Sequence, residues 1–277
     1  MTAASPSSVA QPGDGGPVYP PDWTRPWWSD WQTWVEPVWS DWHLQGPHGD
    51  STAAGLFAVL NRHVGQGPVQ FVPQSALPAD QSYEGFIHST HQVPTRDNLH
   101  DLFNGCCWAR FPRTKTRLNV LQAEVIDRDG VGATRGPLRD ALTLFDENAL
   151  LLQAPPALWD ALTQHDWTTL MVAHRQAWGA SRGLRPIVFG HALLEKLCRP
   201  YKSITAHAYW IAPDVPVNDA AWDEWLAHRL SAAHMATKPF QPLPVMGIPG
   251  WSEANACADF YADASVFRPL PTRSPPR

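Results

Sequence analysis

The chain has 277 residues and a formal net charge of −5, with 21 Lys and Arg against 26 Asp and Glu. Apolar residues make up 44% and charged residues only 17%, which excludes global disorder. Residues 1–50 hold six acids (Asp14, Asp22, Asp30, Glu36, Asp41, Asp50) and one base, Arg25, so the whole net charge sits there and residues 51–277 are neutral. A neutral body lacks the basic surface that general nucleic-acid binding needs. No run approaches the ~18 apolar residues of a membrane helix. The first sixteen residues have neither the basic start nor the apolar centre of a signal peptide. Cys106, Cys107, Cys198 and Cys257 form no CxxC and read as reduced thiols of a cytoplasmic protein. Nothing in the sequence marks an oligomeric state.

In chain order, residues 1–20 are rich in Ser, Pro, Gly and Ala and read as a disordered tail. Residues 23–44 form a tryptophan-rich arm: Trp23, Trp27, Trp28, Trp31, Trp34, Trp39 and Trp42 are seven of the fifteen tryptophans. WSDW occurs at 28–31 and again at 39–42, close to three helical turns apart. The favoured reading is two short helices interrupted at Pro37 and packing indoles on the body. The alternative is an exposed aromatic platform. A helix is expected over 51–63. An extended VQFV lies within 65–78, and a short helix capped by Asp80 or Ser82 ends near His91. Thr95 opens a helix that Phe111-Pro112 stops near Arg110, and Thr114 begins another through Ile126.

Residues 127–136 read as a loop. ALTLF (141–145), a turn at Asp146-Glu147-Asn148 and ALLLQ (149–153) read as a β-hairpin. Helices are expected over 155–162, 167–178 and 187–198, the last stopped by Pro200. SITAHAYWI (203–211) alternates as a strand, and Asn218 or Asp219 caps a helix carrying Trp222, Trp225, Leu226 and Leu230. The expected fold is a mostly helical α+β domain over 21–269, with a small antiparallel sheet made of the hairpin 141–153 and the strand 203–211. A Pro-rich end follows at 270–277.

The chemistry-bearing segment is TRDNLHDLFNGCCWARFPRTKTRLN, 95–119. On a helix, Asp97, His100, Asp101 and Asn104 share one face. His, Asp and Asn are poorer helix formers than the Lys, Glu and Arg of an ordinary solvated face, and they are better ligands. The bland account is a helix start whose acids suit the dipole. Arg110, Arg113, Lys115 and Arg117 follow with no acid between them, and residues 94–119 sum to +3. Arg113 and Lys115 are the candidates for holding a small anionic ligand, with salt bridging to nearby acids as the bland account. A second helix carries His191 and Glu195 at i, i+4, a common spacing that is compatible with a metal site but does not mark one. His207 on the 203–211 strand is a candidate third nitrogen. Turn chemistry accounts for Asp146 and Glu147, so no site is assigned to them.

There is no GxGxxG after a strand, no Walker A, no GxSxG and no HEXXH. Two readings follow. One is an enzyme, a hydrolase or acid–base catalyst, in which His100 is the base or a ligand. Asp101 is then its orienting carboxylate, Asn104 a positioner, and His191 and Glu195 converge from another helix. A divalent metal such as zinc suits these residues without being marked by a motif. The other is a non-enzymatic binding or assembly module that uses the tryptophan-rich surface.

Six ordered stretches carry a resemblance. They are YEGFI (83–87), VPTRDNLHDLFN (93–104), FPRTKTRLN (111–119), RGPLRDALTLFDEN (135–148), FGHALLEKL-RPYK (189–202) and PGWSEAN with FYADASVFRP (249–269). Together they resemble a bacterial family known as domain of unknown function three-zero-two-five, over roughly 23–269. The resemblance implies a soluble bacterial protein built as one unit and carries no activity, cofactor or catalytic residue. The family pattern has Gly where this chain has His91, which fits a helix C-cap.

Overall fold

The structure is a computed structural model that describes residues 20–44, 55–65, 67–130, 136–179 and 183–270. The expected tail, Pro-rich end, start of the 51–63 helix and middle of the 127–136 loop lie outside these residues. The described chain is a mostly helical α+β fold. After one 3₁₀ turn at Pro26–Trp28, α1 runs Gln32–Leu44 straight through Pro37. The expected break at Pro37 is therefore absent, and the helix forgoes one backbone donor there. Trp27, Trp28, Trp31, Trp39 and Trp42 are buried, and Trp23 and Trp34 are partly buried against the same core. No exposed indole platform exists in 23–42. Burying five large aromatic surfaces outweighs the lost helical bond.

Next, α2 (Leu56–Val64) leads to β1 (Gln70–Pro73), α3 (Tyr83–Thr90) and β2 (Gln92–Thr95), with β1 and β2 paired in parallel. Ser82 caps α3 by accepting from the Gly85 N–H. His91 ends α3 in the left-handed conformation at φ 55°, and its N–H donates to the Ile87 carbonyl. This is the C-cap that a Gly at the position implies. The next helix begins later than Thr95. Asn98 caps α4 (Leu99–Arg110), and Pro112 at the first helical position starts α5 (Pro112–Asp129).

The expected hairpin 141–153 is wrong. Residues 137–148 are a helix, α6 (Pro137–Asn148), and only β3 (Ala149–Gln153) is a strand. The buried residues Ala141, Leu142 and Phe145 follow a helical spacing. α7 (Pro156–Thr163) follows, and the helix expected over 167–178 is a π-helical stretch, Thr168–Ala173, and a 3₁₀ turn. The helix expected over 187–198 divides into β4 (Arg185–Val188) and α8 (His191–Leu197). β5 (Thr205–Ile211), α9 (Asp219–Arg229) capped by Asn218, α10 (Ala232–Ala236) and β6 (Gln241–Pro244) complete the fold. The sheet is mixed and not purely antiparallel: the order is β4-β3-β5-β6, with β3 and β5 parallel. β3 is buried at every residue, so it reads as an unbroken apolar run rather than an alternating one.

Gly190, just before α8, fixes how two helices meet. A Cβ there would come within 2.4 Å of the Glu147 carbonyl oxygen, so only glycine lets the start of α8 lie against the end of α6. Gly190→Ala is expected to destabilise the protein by about 1–3 kcal/mol through backbone overpacking. Urea unfolding checks this, and an unchanged midpoint would mean that the two helices have slack at this contact.

The candidate active site

A polar cavity of about 190 Å³ opens among α3, α4, α5, α6 and α8. His100 and Asn104 reach it from α4, and Lys115, Asn119 and Gln122 reach it from one stripe of α5. Asp146 and Glu147 come from the last turn of α6, and His191 from the first residue of α8. Tyr83 on α3 closes one side.

His100 and His191 meet through their Nε2 atoms at 3.1 Å, and the other nitrogen of His100, Nδ1, lies 3.2 Å from the Glu195 carboxylate. The carboxylate of Glu147 joins them, with one ligand atom from each of His100, Glu147 and His191 no more than 4.8 Å apart. Burial disfavours a charged His100. Its hydrogen bond to Glu195 and the Glu147, Glu195 and Asp101 carboxylates outweigh that and raise its pKa above the ordinary value. His191 is 4% exposed, and burial holds its pKa down to about 3 against the pull of Asp146. Its Nδ1 has no hydrogen bond of good geometry, although the Asp146 backbone carbonyl is near enough to favour a proton on the ring.

Beside the imidazoles, the buried ammonium of Lys115 donates to Asn104 Oδ1 at 2.9 Å and pairs with Asp146 Oδ1 at 2.5 Å. Burial works against a charged Asp146, but Lys115 and the neighbouring imidazoles outweigh it and hold its pKa below the usual value. Asn104 completes a chain by donating from Nδ2 to the Tyr83 hydroxyl at 3.1 Å.

Three residues nominated from sequence, His100, His191 and Glu195, come together as one cluster. Asn104 lines the same cavity but serves Lys115 and Tyr83. Asp101 does not orient His100. It accepts from the Arg96 backbone N–H at 2.6 Å and pairs with the Arg96 guanidinium at 2.9 Å, and Glu195 from α8 takes the orienting position. Asp97 caps α2 by accepting from the Leu56 N–H. The basic cluster does not act as a unit. Arg113 points out to Glu224 on α9, Arg117 donates to the Leu230 carbonyl and Arg110 pairs with Asp219. A helix turns 100° per residue, so neighbours two apart such as Arg113 and Lys115 face different ways. His207 packs against Phe240 and stands outside the imidazole cluster.

Sequence reasoning missed Asp146, Glu147, Asn119 and Gln122. The helical spacing of Ala141, Leu142 and Phe145 behind Pro137 was the signal that would have put the two acids on a helix end. Gln122 is 7% exposed, lines the cavity, and its carboxamide makes no hydrogen bond among the described residues.

The family described as Protein of unknown function (DUF3025) matches residues 69–271, well over half of the chain. The chain belongs to this family. All six motif stretches fall inside the match and the tryptophan-rich arm falls outside it, so the resemblance read over 23–269 begins later than expected. No curated protein and no solved structure matches the chain. Among the described residues no helix is long and apolar enough to cross a membrane.

Proposed function

We propose that the cavity is the active site of a hydrolase that activates water at the His100–His191–Glu147 cluster and acts on a small, neutral, hydrogen-bonding group such as an amide. The observation that carries the reading is the convergence of two imidazoles and the Glu147 carboxylate from three separate helices on one solvent-reachable wall, with Glu195 bonded to His100. Such groups are placed together where protons move or a nucleophile is generated.

The substrate class follows from what is left unpaired. Lys115 is committed to Asp146 and Asn104, and Arg96 to Asp101. Glu84, Asp101, Asp146 and Glu147 line the same space. Among the described residues the Lys and Arg side chains lining the cavity are already paired, which argues against the anionic ligand expected of Arg113 and Lys115. The Gln122 carboxamide offers both a donor and an acceptor, the pairing that a neutral amide matches. The cavity is smaller than the few hundred Å³ typical of drug-sized ligands, so it suits a small molecule or one side chain of a larger one. The buried thiols of Cys106 and Cys107 accord with a reducing, cytoplasmic setting.

A panel of small chromogenic amides and esters tests this. Wild type is expected to turn over at least one neutral amide. His100→Ala is expected to lower kcat by roughly 10²–10⁴-fold, the usual worth of a group that handles protons or activates water. Turnover unchanged in His100→Ala, or no neutral substrate turned over at all, would sink the reading.

A further inference from the structure

We infer that His100, Glu147 and His191 form a binding site for one divalent transition-metal ion, zinc in the first place, with Glu195 fixing the orientation of His100. Two Nε2 atoms 3.1 Å apart are held together either by the N–H of one neutral imidazole donating to the other or by a metal ion that both ligate. Their spacing suits a metal. With zinc–nitrogen bonds of about 2.0–2.1 Å, nitrogens 3.1 Å apart subtend roughly 100° at the ion, near the tetrahedral angle.

The remaining donors separate metal from proton. A proton shared by two nitrogens has no use for a third ligand. Here the Glu147 carboxylate approaches the same point, with all three ligand atoms within 4.8 Å of one another. Glu147 is only partly buried at the end of α6, so its side chain has room to turn towards the two imidazoles.

The surroundings fit as well. A ligating imidazole usually gives its other nitrogen to a carboxylate or a backbone carbonyl, which fixes the tautomer and turns the free lone pair to the metal. Glu195 stands at His100 Nδ1, whereas His191 Nδ1 is buried without a hydrogen bond. Gly190 permits the contact between α6 and α8 that sets Glu147 beside His191.

Charge points the same way. Glu147 and Glu195 add negative charge at the imidazoles, whereas Lys115 is spent on Asp146. Two nitrogens and one oxygen favour zinc over magnesium or calcium, which prefer all-oxygen shells. Three protein ligands leave a fourth position towards the cavity, the arrangement of a catalytic rather than a closed structural zinc site. The inference goes beyond the hydrolase reading and rests on the geometry, charge and donor chemistry of the cluster.

The test is metal binding by the untagged full-length protein, read by calorimetry with zinc chloride and by elemental analysis after dialysis. One zinc per chain is expected, with little response to magnesium or calcium. His100→Ala should weaken binding by more than about 100-fold and Glu195→Gln by about 10–100-fold, the range seen when a carboxylate behind a ligand is lost. His191 is buried and its loss can unfold the chain, so Glu147→Gln, at a partly exposed position, is the second ligand variant, with circular dichroism confirming the fold. Cobalt(II) in place of zinc should give the intense visible bands of a four-coordinate site, and His100→Ala should abolish them. Sub-stoichiometric zinc in folded wild type, zinc binding unchanged in both His100→Ala and Glu147→Gln, or magnesium competing on equal terms would each overturn the inference. Because the readout needs no substrate, zinc bound without turnover of any amide or ester would reject the hydrolase reading alone.

Discussion

Lys115→Met destabilises the protein by about 3–5 kcal/mol at neutral pH, the cost of leaving a buried charge without its partner. The side chain is 4% exposed, and its ammonium serves Asp146 at 2.5 Å and Asn104 at 2.9 Å, with the Trp108 ring 5.5 Å from the charge. Methionine keeps most of the volume, so the loss reports the stranded carboxylate and not a cavity. Asp146 has a lowered folded-state pKa, so its contribution is present above the unfolded value and is lost as pH falls through the folded one. The penalty of Lys115→Met should therefore be larger at pH 7 than near pH 3, because protonation neutralises the stranded carboxylate as pH falls. Urea unfolding of both proteins at pH 7 and near pH 3 measures it. A penalty independent of pH would show that Lys115 acts through packing alone.

Trp31→Ala costs a similar amount, about 3–5 kcal/mol, through a different mechanism. The indole is fully buried, and its Nε1–H donates to the Val188 carbonyl on β4 at 2.8 Å. The Arg110 guanidinium lies 4.7 Å from its centre, and the ring meets Phe111 edge-on. Removal leaves a cavity, an unpaired carbonyl and a buried cation without its aromatic cover. Trp34→Ala, at a partly exposed position on the same arm, should cost distinctly less. The arm is thus part of the core: Asp30 pairs with Arg185 at 3.1 Å and Asp41 with Arg62 at 2.9 Å. Asp30 and Asp41 thus pair with bases on β4 and α2, and the arm meets Arg110 of the 94–119 segment through Trp31. A loss below about 1 kcal/mol for Trp31→Ala in a urea titration would place the arm outside the cooperative unit.

Much of this molecule is local physics and is legible residue by residue. Ser82, Asn98 and Asn218 cap helices because their side-chain oxygens reach backbone donors three residues on. Phe111-Pro112 separates α4 from α5 because proline suits a first turn and disfavours a preceding helical residue. The nomination of His100, His191 and Glu195 rested on spacing within two helices, and that spacing survives in the fold. The local pattern failed at 137–153. ALTLF and ALLLQ are both short apolar runs, and periodicity over five residues does not separate a helix end from a buried strand.

What tertiary structure alone decided is which nominated groups act together. His100 meets Glu195 and His191 across 95 and 91 residues of chain, and Lys115 meets Asp146 across 31. Local sequence supplies no distance over such separations. Asp101, adjacent to His100 in sequence, turned to Arg96 because adjacent residues on a helix point about 100° apart. The sequence by itself determined the family, the mostly helical character and the two helices that carry the imidazoles. The packing of α6 against α8 over Gly190 decided that Glu147 joins them, because helix contacts depend on whole surfaces fitting together and not on the order of residues along either helix.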